Sequence, residues 1–170
     1  MKTKSIFVIA AAMVFCMMSC EKNGPVTPEN PDTPGTGDTT DVVTEGVSGE
    51  VSGVWEAGSV INVTGHITVP EGQSLTIEEG VTVIFSDAGV GVNHTAIEFS
   101  VDGNLYCLGT EDAPVLRAVA EELRTPANTF KGLWGGIVAG ATCGEMLIDR
   151  TIIEYCGGQV IEGSPAAENG

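Results

Sequence analysis

The stretch ITVPEGQSLTIEEGVTVIF, residues 67–85, alternates apolar with polar residues in short runs, and an acid followed by glycine interrupts it twice. A period of two puts alternate side chains on opposite faces of a strand, so these runs read as short, half-buried strands. The punctuation stands at Glu71-Gly72, Glu79-Gly80 and Asp102-Gly103. At all three, glycine is expected to supply the positive φ of a sharp corner. Apolar positions continue the pattern at Ile97, Phe99, Val101, Leu105, Val115 and Ile137. Helical periodicity is confined to Ala118–Arg124, where Thr125-Pro126 would end it because a residue preceding proline avoids the helical region. The expectation is an all-β fold. Hairpins would make the strands antiparallel, whereas corners that only bend the chain would stack them in parallel, and local patterning does not separate the two.

The amino terminus has a different character. Lys2 and Lys4 precede an unbroken apolar run from Ile6 to Met18, after which the chain turns abruptly polar. A charged start, a short apolar middle and a small residue before the cut are the parts of a secretion signal. The run falls short of the roughly 20 residues that a helix needs to cross a bilayer. Residues 1–19 are therefore expected to be removed. From Glu21 to about Ser48 the composition shifts to Pro, Thr, Gly, Asp and Glu, too poor in apolar surface to offset the entropy of ordering, and reads as an extended tether. Residues 49–170 remain for one folded domain.

Charge and cysteine content narrow the function classes. The formal net charge is −16, and losing Lys2 and Lys4 with the signal makes the mature chain more acidic still. Nucleic acid is not an expected partner, since binding it rests on neutralising phosphates with Lys and Arg. Cys107, Cys143 and Cys156 each sit among apolar residues and are read as three unpaired core cysteines, with one disulfide as the alternative. No metal-ligand spacing appears, and His66 and His94 are expected on turns or outward faces.

Met17-Met18-Ser19-Cys20 resembles the lipobox of bacterial lipoproteins, which implies lipidation at Cys20 and a membrane as partner. Anchor, tether and folded part together resemble the surface lipoproteins of gut Bacteroidota. The tripeptide Asp38-Thr39-Thr40 looks like their O-glycosylation acceptor, with Thr39 as the modified residue. In the folded part, Leu75, Ile77, Gly80 and Phe85, then Gly103, Leu105, Gly109, Thr110 and Pro114, then Trp134, Gly136 and Ile137 match successive motifs of right-handed parallel β-helix proteins. The resemblance covers residues 60–158. It implies an all-β, right-handed parallel β-helix, a solenoid of stacked coils, either truncated or incompletely capped at its carboxyl end. It carries no catalytic residue across.

Parallel β-helices include polysaccharide lyases and glycoside hydrolases, whose chemistry needs clustered carboxylates with a base, or two carboxylates facing across a sugar. Asp149-Arg150 with Glu154 is the nearest approach to such a cluster, and it reads as solvated outer charge; Glu78-Glu79 reads as corner polarity. No catalytic residue, metal or cofactor is expected. Trp134, Tyr106 and Tyr155 are the candidate ligand-binding residues, a stacking platform for sugar rings, although packing is the weightier expectation for Trp134. The expected function is a lipid-anchored, outer-membrane, cell-surface protein that is not an enzyme and binds glycans or other macromolecules. The alternatives are the amino-terminal part of a carbohydrate-active enzyme, and an assembly module that associates end to end.

Overall fold

A computed structural model describes residues 42–168. The signal segment, Cys20 and Thr39 lie outside the described residues. The strands are β1 (Val43–Glu50), β2 (Gly53–Trp55), β3 (Val60–Val69), β4 (Ser74–Ile77), β5 (Thr82–Phe85), β6 (Glu98–Val101), β7 (Asn104–Leu108), β8 (Val115–Ala118), β9 (Gly136–Ala139), β10 (Met146–Asp149) and β11 (Thr151–Ile153). The fold is all-β. β1 begins inside the segment expected to be tether, because Val43, Thr44 and Val47 pair with β3 at Val60, Ile61 and Val63. Proline-rich composition does not reach that far. The helix expected at Ala118–Arg124 reduces to a single 3-10 turn, Glu121–Leu123, since Ala118 belongs to β8.

Every pairing between these strands is parallel. A seven-stranded sheet runs β11-β8-β5-β3-β6-β9 with β1 also on β3, and a four-stranded sheet runs β10-β7-β4-β2. The hairpin alternative is thereby excluded: Glu71-Gly72 does not reverse β3 but passes the chain from one sheet to the other. Long β3 serves two ladders, pairing β5 through Val60–Val63 and β6 through Ile67–Val69.

Register piles like side chains on one another. Leu75 lies on Leu105 and Leu105 on Met146. Ile67 lies on Phe99 and Phe99 on Ile137, while Val69 lies on Val101. Ile67, Val69, Leu75, Ile77, Val81, Val83, Phe85, Phe99, Val101 and Leu105 are all fully buried. Each contributes about 1.5–3 kcal/mol relative to exposure, which makes these columns the main stabilising term. The outermost members differ: Ile148, over Cys107, is 40% exposed, and Ile153, beside Arg117, is 37% exposed.

The corners divide by cause. Gly72 (φ 72°) and Gly80 (φ 69°) take the left-handed conformation, as their acid-glycine setting leads one to expect. Gly103 does not. It is glycine because a β-carbon there would run into the carbonyl oxygens of Pro70 and Gln73, so close backbone approach, and not φ, is the constraint. Gly72→Ala, with open space around it, should cost about 1–2 kcal/mol from the left-handed backbone alone. Gly103→Ala should cost about 3 kcal/mol or more, because backbone must move. Chemical denaturation of the two variants checks the order.

One inward position breaks the apolar rule. Arg117 occupies the column of Ile61 and Val83 and is fully buried. Its Nη2 donates to Cys107 Sγ at 2.7 Å, and its guanidinium lies 5.0 Å from the centre of the Phe99 ring. Nε and Nη1 have no partner, and no carboxylate pairs with Arg117 among the described residues. Burial pulls the guanidinium below its ordinary pKa, opposed by Cys107; burial pushes the Cys107 thiol up, with Arg117 pulling the other way. A buried charge with orphaned donors is costly, so an apolar side chain of similar length suits the column better. Arg117→Met should raise the unfolding free energy by about 1–3 kcal/mol, read from the shift of the denaturation midpoint at unchanged slope.

Candidate functional site

Trp134, Tyr106 and Tyr155 do not form one platform: Trp134 and Tyr155 adjoin through their backbones, and Tyr106 lies in the other sheet. Trp134 is fully buried, its ring stacked on Phe85 with centroids 4.0 Å apart and an interplanar angle of 1°. Its indole Nε1 donates to the Glu154 carbonyl at 2.7 Å. With Phe85 over the ring and its one side-chain donor satisfied, Trp134 has no face to offer a ligand. This corrects the expectation of Trp134 as a platform residue and bears out packing as its role. Tyr106 lies in the four-stranded sheet between Thr76 and Leu147, and its hydroxyl donates to Glu145 Oε2 at 2.9 Å. That hydrogen bond, then burial and the carboxylate charge, hold its phenol above the ordinary value. Tyr155 follows β11 in the seven-stranded sheet, so the two tyrosines do not share a surface.

Tyr155 has the more unusual backbone. It holds φ 59°, a left-handed conformation that costs a non-glycine residue about 1–3 kcal/mol and persists only where its surroundings impose it. The surroundings do: its carbonyl accepts from Leu133 N at 2.8 Å and Trp134 N at 3.4 Å, Cys156 bridges to Trp134, and Gly158 N donates to the Trp134 carbonyl at 3.0 Å. Trp134 is thus the post to which the Glu154–Gly158 segment is tied. Beside the segment opens a hollow of about 400 Å³ lined by Thr129, Ile153, Glu154, Tyr155 and Cys156. Ligand pockets span about 300–1,000 Å³, so the volume is sufficient. Tyrosine, glutamate, threonine and isoleucine in one lining are residue types suited to an amphipathic ligand.

A recess near Trp55 and Glu56, at about 170 Å³, is smaller than ligand pockets usually are. Nothing in the sequence singles out Trp55, because one tryptophan in a three-residue strand is no different from packing. Asp149 and Arg150 form an exposed ion pair at 3.1 Å that does not include Glu154, in keeping with solvated charge. Glu78 Oε2 accepts from Ala57 N at 3.0 Å, a corner role as expected. The expectation of three core cysteines needs correction. All three are free, but only Cys107 is buried; Cys143, in the turn after β9, is half-buried and Cys156, after β11, is exposed at the hollow, because both lie beyond the strands whose inward positions form the core. His94 sits exposed on a turn with Nδ1 2.8 Å from the Ala88 carbonyl. His66 Nδ1 accepts from Glu98 N at 3.0 Å. No group of three or more His, Cys, Asp or Glu side chains is placed to hold a metal ion among the described residues.

The chain matches no family model, no curated protein and no solved structure.

Trp134→Ala should cost about 3–5 kcal/mol by leaving a cavity against Phe85 and freeing the Glu154–Gly158 segment. Thermal unfolding measures the loss, and an unchanged midpoint would contradict the packing role.

Proposed function

We propose that the protein is a lipid-anchored outer-membrane protein of the bacterial surface whose folded part is a right-handed parallel β-helix, and that it binds polysaccharide without chemically changing it. The lipobox-like Met17–Cys20 and the tether composition support the anchor and the address. All-parallel pairing and in-register apolar columns are what a β-helix needs, since identical inward positions stack from one coil to the next.

The observation that carries the binding reading is the hollow at Tyr155. Its backbone is held in a costly conformation, and outliers of that kind cluster at ligand sites. Tyr155, half-buried against the core, lines a solvent-open space together with Glu154 and Thr129. A pyranose ring has an apolar C–H face for the aromatic and hydroxyls for the carboxylate and the threonine.

The full chain is to be applied to arrayed polysaccharides as wild type, Tyr155→Ala and Tyr106→Ala, with thermal midpoints recorded in parallel. Wild type should be retained, Tyr155→Ala should lose about tenfold in affinity, and Tyr106→Ala should bind as wild type. Loss at Tyr106 but not at Tyr155 would move the site to the four-stranded sheet, and no retention of wild type would remove the binding reading.

A further inference from the structure

The excursion between β8 and β9, residues 119–135, ends beside the hollow: Thr129 lines it, and Leu133 N donates to the Tyr155 carbonyl. The excursion is well braced. Its two 3-10 turns, Glu121–Leu123 and Pro126–Asn128, are cross-tied by Arg124 Nε to the Val119 carbonyl and Asn128 Nδ2 to the Leu123 carbonyl, both at 2.8 Å. Leu123 packs against the core, and Lys131 N closes the tip on the Asn128 carbonyl at 3.0 Å. On this support, next to Thr129, stands Phe130, 98% exposed.

A phenyl ring so exposed adds little to the fold. Lone exposed apolar side chains are ordinary, but here a braced loop carries the ring one residue from Thr129, in the lining of a hollow that also includes a tyrosine and a glutamate. A pre-organised support lowers the entropy lost when a ring engages a ligand. The ring is also free to turn, since exposed side chains change rotamer in picoseconds to nanoseconds. Charge limits the ligand class. Among the described residues the hollow has Glu154 in its lining and neither lysine nor arginine, Lys131 following Phe130 outside that lining, within a chain of net charge −16. A uronate or sulfated polymer would be repelled, whereas a neutral sugar ring would not.

We infer that Phe130 is the movable wall of the Tyr155 hollow, turning over a seated sugar ring, and that the units taken are the neutral hexose residues of a polysaccharide. This rests on the binding reading above. The ring sits with its C–H faces toward the aromatics and its hydroxyls toward Glu154 and Thr129. Specificity comes from the two aromatic walls, because a carboxylate alone would accept hydrogen bonds from any polyol.

The test uses the full chain on an array carrying neutral hexose polymers and polyuronates, with the variants Phe130→Ala, Phe130→Trp and Tyr155→Ala. Wild type and Phe130→Trp should bind neutral polymers with similar affinity, and on binding the Phe130→Trp variant should show a blue shift of its indole emission that wild type lacks. Phe130→Ala should bind about tenfold more weakly with an unchanged thermal midpoint, since the ring is exposed in the free protein. If Phe130→Ala binds as wild type while Tyr155→Ala does not, the wall role is overturned and the binding site stands. If neither variant alters binding, or wild type binds nothing on the array, both fall. A preference for polyuronates overturns the neutral ligand class. Loss of binding in Phe130→Ala accompanied by a change from a wild-type dimer to a monomer in sedimentation would reassign the ring to a contact between copies and also overturn the wall role.

Discussion

Parallel, in-register stacking is the constraint from which the rest follows. When Leu75 lies on Leu105 and Ile67 on Phe99, an inward residue is judged by its neighbours above and below more than by its own strand. Side chains of similar shape at one register position fill the interior without voids, and a strand that slipped by one residue would turn its whole apolar set outward. The narrow corners follow from the same demand. Gly103 sits where backbone from the neighbouring corner passes too close for any side chain, so close approach there governs the residue as firmly as φ governs Gly72.

The columns also explain the two places where the pattern is broken. Arg117 enters a column of Ile61 and Val83, where among the described residues a guanidinium finds a thiol and the face of Phe99, and two of its nitrogens find no partner. Only one neighbouring layer is closed there: Val83 on one side is fully buried, whereas Ile153 on the other is 37% exposed. Trp134 breaks the pattern in the opposite sense. By stacking on Phe85 and holding the Glu154–Gly158 segment through its indole and its backbone, it converts core packing into the support of a surface feature. Tyr155 keeps its left-handed backbone because that support leaves it no alternative.

Much of the strand content was legible because alternation is local. Ile67, Val69, Leu75, Ile77, Phe85 and Leu105 were all identifiable as inward positions from a period of two, and all are fully buried. The boundary at Val43 was not legible, since its pairing with β3 is a long-range contact that proline and threonine content upstream conceals. Of the candidate site residues, Tyr155 lines a hollow, Tyr106 is committed to Glu145 in another sheet, and Trp134 is interior. Nothing in the residue types could have sorted them, because an aromatic ring serves equally as core mass and as a sugar platform. Phe130 carried even less signal, a single phenylalanine in a polar insertion.

By itself the sequence determined the all-β character, the inward and outward faces of the strands and the corner positions at Gly72 and Gly80, because each depends on the backbone preferences of adjacent residues. Only the tertiary structure decided that the strands run parallel, that Gly103 is limited by its neighbours' carbonyls, that Arg117 lies in the core, and that Thr129, Glu154 and Tyr155 line one hollow. Those outcomes join residues far apart in the chain, and their free energies come from burial and hydrogen bonding that no local window of sequence contains.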